Sequence, residues 1–135
     1  MNERAEKPDV SVIIASVESA HSIARCIESV TVALTGLRSE VVVVDASSDA
    51  SASIAVNALG SAAVMRRPVG TLTPELWAIG IACSTAPVVV LSTGHFTMQP
   101  SWIRSLAAGL RDGQTGVAKY RISYLLRRII KYPIQ

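Results

Sequence analysis

The chain predicts an α/β protein, an open parallel β-sheet of the Rossmann kind in three layers with helices on both faces. Three observations lead there. Half of the residues are apolar while aromatics make up 4%, so the core rests on Val, Ile, Leu and Ala, a mix that suits helices packed on a buried sheet. The runs that read as strands are largely continuous apolar, β-branched stretches, as expected of strands covered on both faces. Segments with apolar residues at helical spacing lie between them, and such alternation argues for parallel strands joined by right-handed crossovers.

The elements follow in order. Met1 to Asp9 is polar and charged and reads as a solvated lead-in. Val10 to Ala15 (VSVIIA) is the first strand. After a polar break from Ser16 to Ser22, the residues Ile23, Cys26, Ile27, Val30 and Leu34 recur at helical spacing, and Gly36 stops that helix. Glu40 to Asp45 (EVVVVD) is the second strand. Asp49 is placed to cap a helix that runs to Leu59 and ends at Gly60. Ala62 to Arg66 reads as a short third strand. Thr73-Pro74-Glu75 is a helix start, with Thr73 the capping residue, and the helix carries Leu76, Ile79, Ile81 and Cys83.

The stretch from Pro87 to Trp102 (PVVVLSTGHFTMQPSW) supplies the fourth strand, a break at Thr93-Gly94, and a Pro100 that can open the last helix, which runs to about Arg111. Ligands of open parallel sheets gather at the carboxyl ends of the strands, which makes Ser92 to Phe96 the first place to look for a site.

Charge divides the chain. Residues 1–116 hold 8 Lys/Arg against 10 Asp/Glu, a net of −2, whereas residues 117–135 hold 5 Lys/Arg and no acid. The basic character therefore belongs to the tail and is not evidence for a nucleic-acid-binding body, so no nucleic-acid partner is expected. Ile122, Leu125, Leu126, Ile129 and Ile130 share one face of a basic amphipathic tail helix. Its readings are packing on its own sheet, resting on an anionic membrane surface, or contact with a partner such as a second copy. Cys26 and Cys83 lack metal-ligand spacing and read as buried small hydrophobes. No signal peptide is evident, and no window reaches the length of about 20 apolar residues that a spanning helix needs. The expected location is the cytoplasm, with the tail as the means of reaching the inner membrane face.

Three landmarks resemble a known family. Val10 to Ile14, then Glu40 to Asp45 with Ser47-Ser48-Asp49, then Pro87 to Trp102 are similar in order and spacing to the nucleotide-binding half of family 2 glycosyltransferases of the GT-A fold. Those proteins read VSVIIPTYN, then VVDDGSTD, then FLDAD, then a Pro and a Trp opening a helix. The resemblance covers about residues 10–111 and implies the strand order 3-2-1-4. The chain then divides into the lead-in 1–9, a GT-A-like half-domain 10–116, and the tail helix 117–135.

The resemblance further implies a nucleotide-sugar donor, with UDP the expected carrier, across the ends of the first, second and fourth strands. Asp45 matches the acid that hydrogen-bonds the base. Ala15, Val17 and Glu18 occupy the family's donor loop after the first strand. Thr93, Gly94 and His95 fall where the family has its metal-binding Asp-x-Asp. Arg66, with Arg67, can add positive charge at the end of the third strand. Plain alternatives stand beside these: Asp45 as a loop or capping carboxylate, His95 as an exposed turn residue, the arginines in solvent, and His21 as a capping or solvated residue.

The sequence also departs from the family. PTYN is Ala15-Ser16-Val17-Glu18, the second Asp of VVDD is Ala46, and the ARN segment falls at Trp77-Ala78-Ile79. The family uses Mn²⁺ or Mg²⁺ at the donor diphosphate. Thr93 is a poor ligand for either, and His95, a candidate Mn²⁺ ligand, does not replace two carboxylates with one imidazole; its other role is to donate a hydrogen bond to a diphosphate without metal. No metal site and no catalytic residue can be assigned. A carboxylate that would deprotonate an acceptor is not expected in this segment, which points to a fragment, a chain that works with a partner, or a domain without catalysis. The alternative function is a non-catalytic nucleotide-binding or oligomerising α/β module.

Overall fold

The computed structural model describes residues 7–108. Their order is β1 (Val10–Ser16), α1 (Ile23–Ala33), β2 (Ser39–Asp45), α2 (Ser51–Leu59), a 3₁₀ turn (Ser61–Ala63), β3 (Val64–Arg66), α3 (Thr73–Cys83), β4 (Val88–Thr93) and α4 (Trp102–Ala108). The strands form one parallel sheet in the order β3-β2-β1-β4. The order and direction are those expected. The basic tail over 117–135 and the end of the last helix past Ala108 lie outside the described residues.

Every side chain of β1 is buried, because β1 lies at the centre with β2 on one side and β4 on the other. Alternate residues point to opposite faces. Val12 and Ile14, with Val43 and Val90, face α1, α2 and α4 and meet Ile23, Cys26, Ile27, Val30, Ala55 and Ile103. Ile13 and Ala15, with Val44, Val89 and Leu91, face α3 and meet Leu76. The sheet therefore has helices on both faces, which is why its strands show no polar alternation. Val12, Ile13 and Ile14 are each 0% exposed, a burial worth about 1.5–3 kcal/mol per side chain before entropy.

Helix α3 sits close to the sheet. Leu76 and Gly80 are its buried residues, and a Cβ on Gly80 would lie 2.3 Å from Cγ2 of Ile13. Glycine at position 80 lets the helix backbone rest directly on β1.

Local chemistry shifts several expected boundaries. Ala62 and Ala63 belong to a 3₁₀ turn, leaving only Val64–Arg66 as strand. Leu72, not Thr73, occupies the N-cap of α3, and its carbonyl accepts from both Glu75 and Leu76. Ala50 stands at the N-cap of α2, while Asp49 accepts the Ser51 amide from one residue earlier, at 2.9 Å. Cys26 is buried, but Cys83 is exposed. The Cys83 thiol lies 3.8 Å from the Met65 sulfur of β3. Among the described residues no helix is long and apolar enough to cross a membrane.

Candidate functional site

The carboxyl ends of β1, β2 and β4 lie side by side, since the register sets Ser16 beside Asp45 and Ala15 beside Thr93. Three loops leave from them: 17–22, 46–50 and 94–101. Hydrogen bonds stitch the three together, and serines supply most of them.

Asp45 is the hub. Its Oδ1 accepts from the Ser16 hydroxyl at 2.7 Å and from the Ser47 hydroxyl at 2.8 Å, and its Oδ2 accepts from the Ser47 amide at 3.0 Å. The residue is 1% exposed. A buried carboxylate is tolerable when hydroxyls and amides surround it in this way. The carboxylate thus faces its own loop in this fold, and a direct contact with a base would require Ser47 to give way.

From this hub the network runs outward. The Ser16 and Ser19 hydroxyls are 2.8 Å apart, and the Ser19 amide donates to the Ser51 hydroxyl at 2.8 Å. The Glu18 amide donates to the Ser47 hydroxyl at 2.7 Å, and the Glu18 carboxylate accepts from the Ser48 amide at 2.6 Å and the Ser48 hydroxyl at 3.0 Å. These bonds hold Glu18 at φ 45°, a left-handed conformation that a non-glycine residue keeps only when its surroundings impose it. Asp49 accepts from the Ala20 amide at 3.1 Å and from the Ser51 amide and hydroxyl. The Ser51 hydroxyl is the main cause of an Asp49 pKa below the usual carboxylate value.

The fourth strand joins the same rim. The Gly94 amide donates to the Ala15 carbonyl at 2.9 Å, and the Ser22 hydroxyl donates to the Gly94 carbonyl at 2.9 Å. His95 bridges back to the β1 loop. Its Nε2 lies 3.1 Å from the Val17 carbonyl, which can only accept, so that nitrogen carries the proton. Its Nδ1 lies 3.4 Å from the Ser22 hydroxyl. The His21 ring rests against the His95 ring, centroids 5.6 Å apart and tilted by 47°.

The expected site residues thus separate by position. Val17, Glu18, Thr93, Gly94 and His95 meet at one rim. Glu18 and His95 are exposed, Val17 and Thr93 half-buried, and Gly94 buried. Ala15 is buried with its side chain among the α3-facing core residues. Arg66 pairs with Asp45 in register and is exposed at the end of β3. The serines of the β1 loop are the parts that sequence reasoning passed over, and His21, read as a capping or solvated residue, is exposed beside His95. The serine signal was present as a spacing of three, in Ser16, Ser19 and Ser22 and again in Ser48 and Ser51.

A divalent cation does not fit the donor set. Thr93-Gly94-His95 brings no carboxylate, both His95 nitrogens face protein oxygens, and Glu18 and Asp45 are bonded to serines. Among the described residues, no group of three or more His, Cys, Asp or Glu could hold a metal ion.

Comparison with known proteins agrees with this architecture. Fourteen chains of solved structures match the fold. TarS of S. aureus aligns with a TM-score of 0.57 and 20% identity over 74% of this chain and 19% of its own. The mannosyltransferase PcManGT of Pyrobaculum calidifontis, solved with GDP-Man and Mn²⁺, aligns with a TM-score of 0.66 and 19% identity over 83% of this chain and 35% of its own. The chain thus spans well under half the length of either, and at such identities the likeness is one of fold. No curated protein matches the sequence. The family model described as glycosyl transferase family 2 matches residues 11–126. With most of its length matched and a parallel 3-2-1-4 sheet flanked by helices, the chain belongs to glycosyl transferase family 2.

Proposed function

We propose that this chain forms the donor-binding half of a glycosyltransferase, with a nucleotide-sugar lying across the carboxyl ends of β1, β2 and β4. The observation that carries the reading is the serine-stitched rim. Three loops distant in sequence are bonded into one polar edge, at the point where α1 lies on one face of the sheet and α3 on the other. Such a switch point is where ligands of open α/β sheets bind. Val17, Glu18, Thr93, Gly94 and His95 form the donor's contact surface, and Arg66 supplies charge from the side of β3. Ala15 and Asp45 lie beneath them as support.

UDP is the carrier we expect. The exposed Glu18 carboxylate can accept a uracil imide N–H, and Asp45 can do so once Ser47 releases it. PcManGT was solved with GDP-Man, so guanine is the competing base. Transfer leaves a nucleoside diphosphate, and the groups around it must offset the charge that develops. Removing a proton from an acceptor needs a free base, whereas Asp45 and Glu18 are both bonded to serines. That bonding favours a second reading, a donor-binding module that leaves the transfer step to other residues.

Calorimetry with UDP, GDP, UDP-glucose, GDP-mannose and uridine tests the proposal. Tighter binding of a nucleotide-sugar than of its nucleoside is expected, with uracil preferred over guanine. Slow release of sugar from the bound donor favours the transferase reading, and binding without release favours the module. A chain that binds none of these at millimolar concentration overturns both.

A further inference from the structure

We propose that His21, held against His95, grips the donor's diphosphate directly and without a divalent cation. This rests on the donor-site reading above and adds to it the group that takes the charge.

The polar groups of the rim are unequally engaged. The three carboxylates already accept hydrogen bonds from the rim: the buried Asp45 from Ser16 and Ser47, and the exposed Glu18 and Asp49 from Ser48 and from Ala20 and Ser51. His95 is held at Nε2 by the Val17 carbonyl, and its Nδ1 faces the Ser22 hydroxyl at 3.4 Å. His21 is different. It is exposed, its ring lies 5.6 Å from that of His95, and among the described residues its nitrogens have no hydrogen-bond partner. It therefore offers a ring N–H to solvent at the rim while the rim's carboxylates already accept hydrogen bonds.

The surroundings suit an anion. His21 stands just before α1, and Ser22 at the N-cap makes no side-chain cap bond, because its hydroxyl donates to the Gly94 carbonyl. The adjoining helix start is positive by its dipole. Arg25 lies exposed one turn along. A cation would meet these positive groups and rim carboxylates that already accept hydrogen bonds from serines. A diphosphate would meet an imidazole donor and a helix start, and charge-assisted bonds of this kind are the strong ones. His95 acts as a positioning residue. It fixes the 17–22 loop to the 94–95 turn and sets the plane on which His21 rests.

The test is binding of UDP, GDP, inorganic pyrophosphate and uridine to the full chain by calorimetry, in EDTA and again in Mn²⁺. UDP is expected to bind in EDTA within about threefold of its affinity in Mn²⁺, and uridine about tenfold or more weaker than UDP. Losing one charge-assisted bond corresponds to about tenfold in affinity. His21→Gln is therefore expected to weaken UDP and pyrophosphate by about that factor and to leave uridine unchanged. His95→Gln, checked for an unchanged melting temperature, should lower the UDP-to-uridine ratio in the same direction. The imidazole ¹⁵N resonances of His21 should move on adding pyrophosphate.

UDP binding that requires Mn²⁺, or that His21→Gln leaves within twofold, overturns the inference while the donor site stands. So does UDP binding no tighter than uridine. If none of the nucleotides binds, the donor-site reading falls with it.

Discussion

Gly94 packs directly onto Ser19: a Cβ at position 94 would lie 2.4 Å from the Ser19 hydroxyl oxygen and 2.9 Å from its Cβ. Two loops distant in sequence touch here with no room for a methyl group. The Ser19 hydroxyl is also bonded to Ser16, which in turn bonds Asp45. Whatever moves Ser19 disturbs the hub of the rim.

Gly94→Ala should therefore destabilise the fold by about 1–3 kcal/mol, as overpacking of a close contact does, and should weaken nucleotide binding. Urea denaturation and calorimetry read the two effects. Adding Ser19→Gly removes both atoms that the new methyl would strike. The double variant should recover part of the stability lost by Gly94→Ala, as coupled neighbours do.

Asp45→Ala deletes an acceptor on which two hydroxyls and an amide converge inside the protein. Leaving such donors without a partner costs about 2–4 kcal/mol. Asp45→Asn keeps one oxygen for the hydroxyls but can set an NH₂ group against the Ser47 amide, so about half of that loss is expected. Equilibrium unfolding of the two variants gives the order, and equal stability of wild type and Asp45→Ala would refute the hub.

The two thiols should behave differently. Burial pushes the Cys26 thiol from 9.0 up to about 12, whereas Cys83 is exposed. One thiol should react with a disulfide reagent in the native protein and the second only after unfolding. Cys26 also affects alkaline stability. Its folded pKa lies above its unfolded one, so its contribution is intact below about pH 9 and declines as pH rises toward 12. The Cys26→Ala variant should lose less stability than wild type between pH 9 and 11.

Asp49 acts at the other end of the scale. The Ser51 hydroxyl, with the Ser51 and Ala20 amides, holds its pKa below the ordinary 3.8. The stabilisation is present above that value and is lost as pH falls through the lowered one. Asp49→Asn should flatten the fall in stability between pH 5 and 2, measured as the difference from wild type. An unchanged acid limb would show that the Asp49 bonds contribute nothing to folding.

Much of this molecule was legible in the chain. Runs such as VVVV at 41–44 admit only strands covered on both sides, and the helical spacing of Ile23, Cys26, Ile27 and Val30 demands a face to cover them. Both are local properties, so the element order and the layered parallel sheet follow from them. The strand order came from landmarks spread along the chain. Boundaries moved where competing local bonds decided, as when the Leu72 carbonyl captured the start of α3 ahead of Thr73.

The site divides in the same way. Asp45, Glu18, Thr93, Gly94 and His95 could be placed at strand ends from their position alone, because a strand end is a property of its own segment. Whether the Asp45 carboxylate looks outward or into Ser16 and Ser47 depends on a register between β1 and β2, which only the assembled sheet sets. The meeting of His21 with His95 joins residues 74 positions apart through the β1–β4 pairing. Cys83 is exposed although it lies in the same helix as the buried Leu76 and Gly80, which the helical spacing alone did not separate. The sequence by itself determined which segments fold and where their polar ends fall. The tertiary structure alone decided which of those polar groups bond to one another and which still face solvent, because hydrogen bonds between loops depend on distances that no single segment contains.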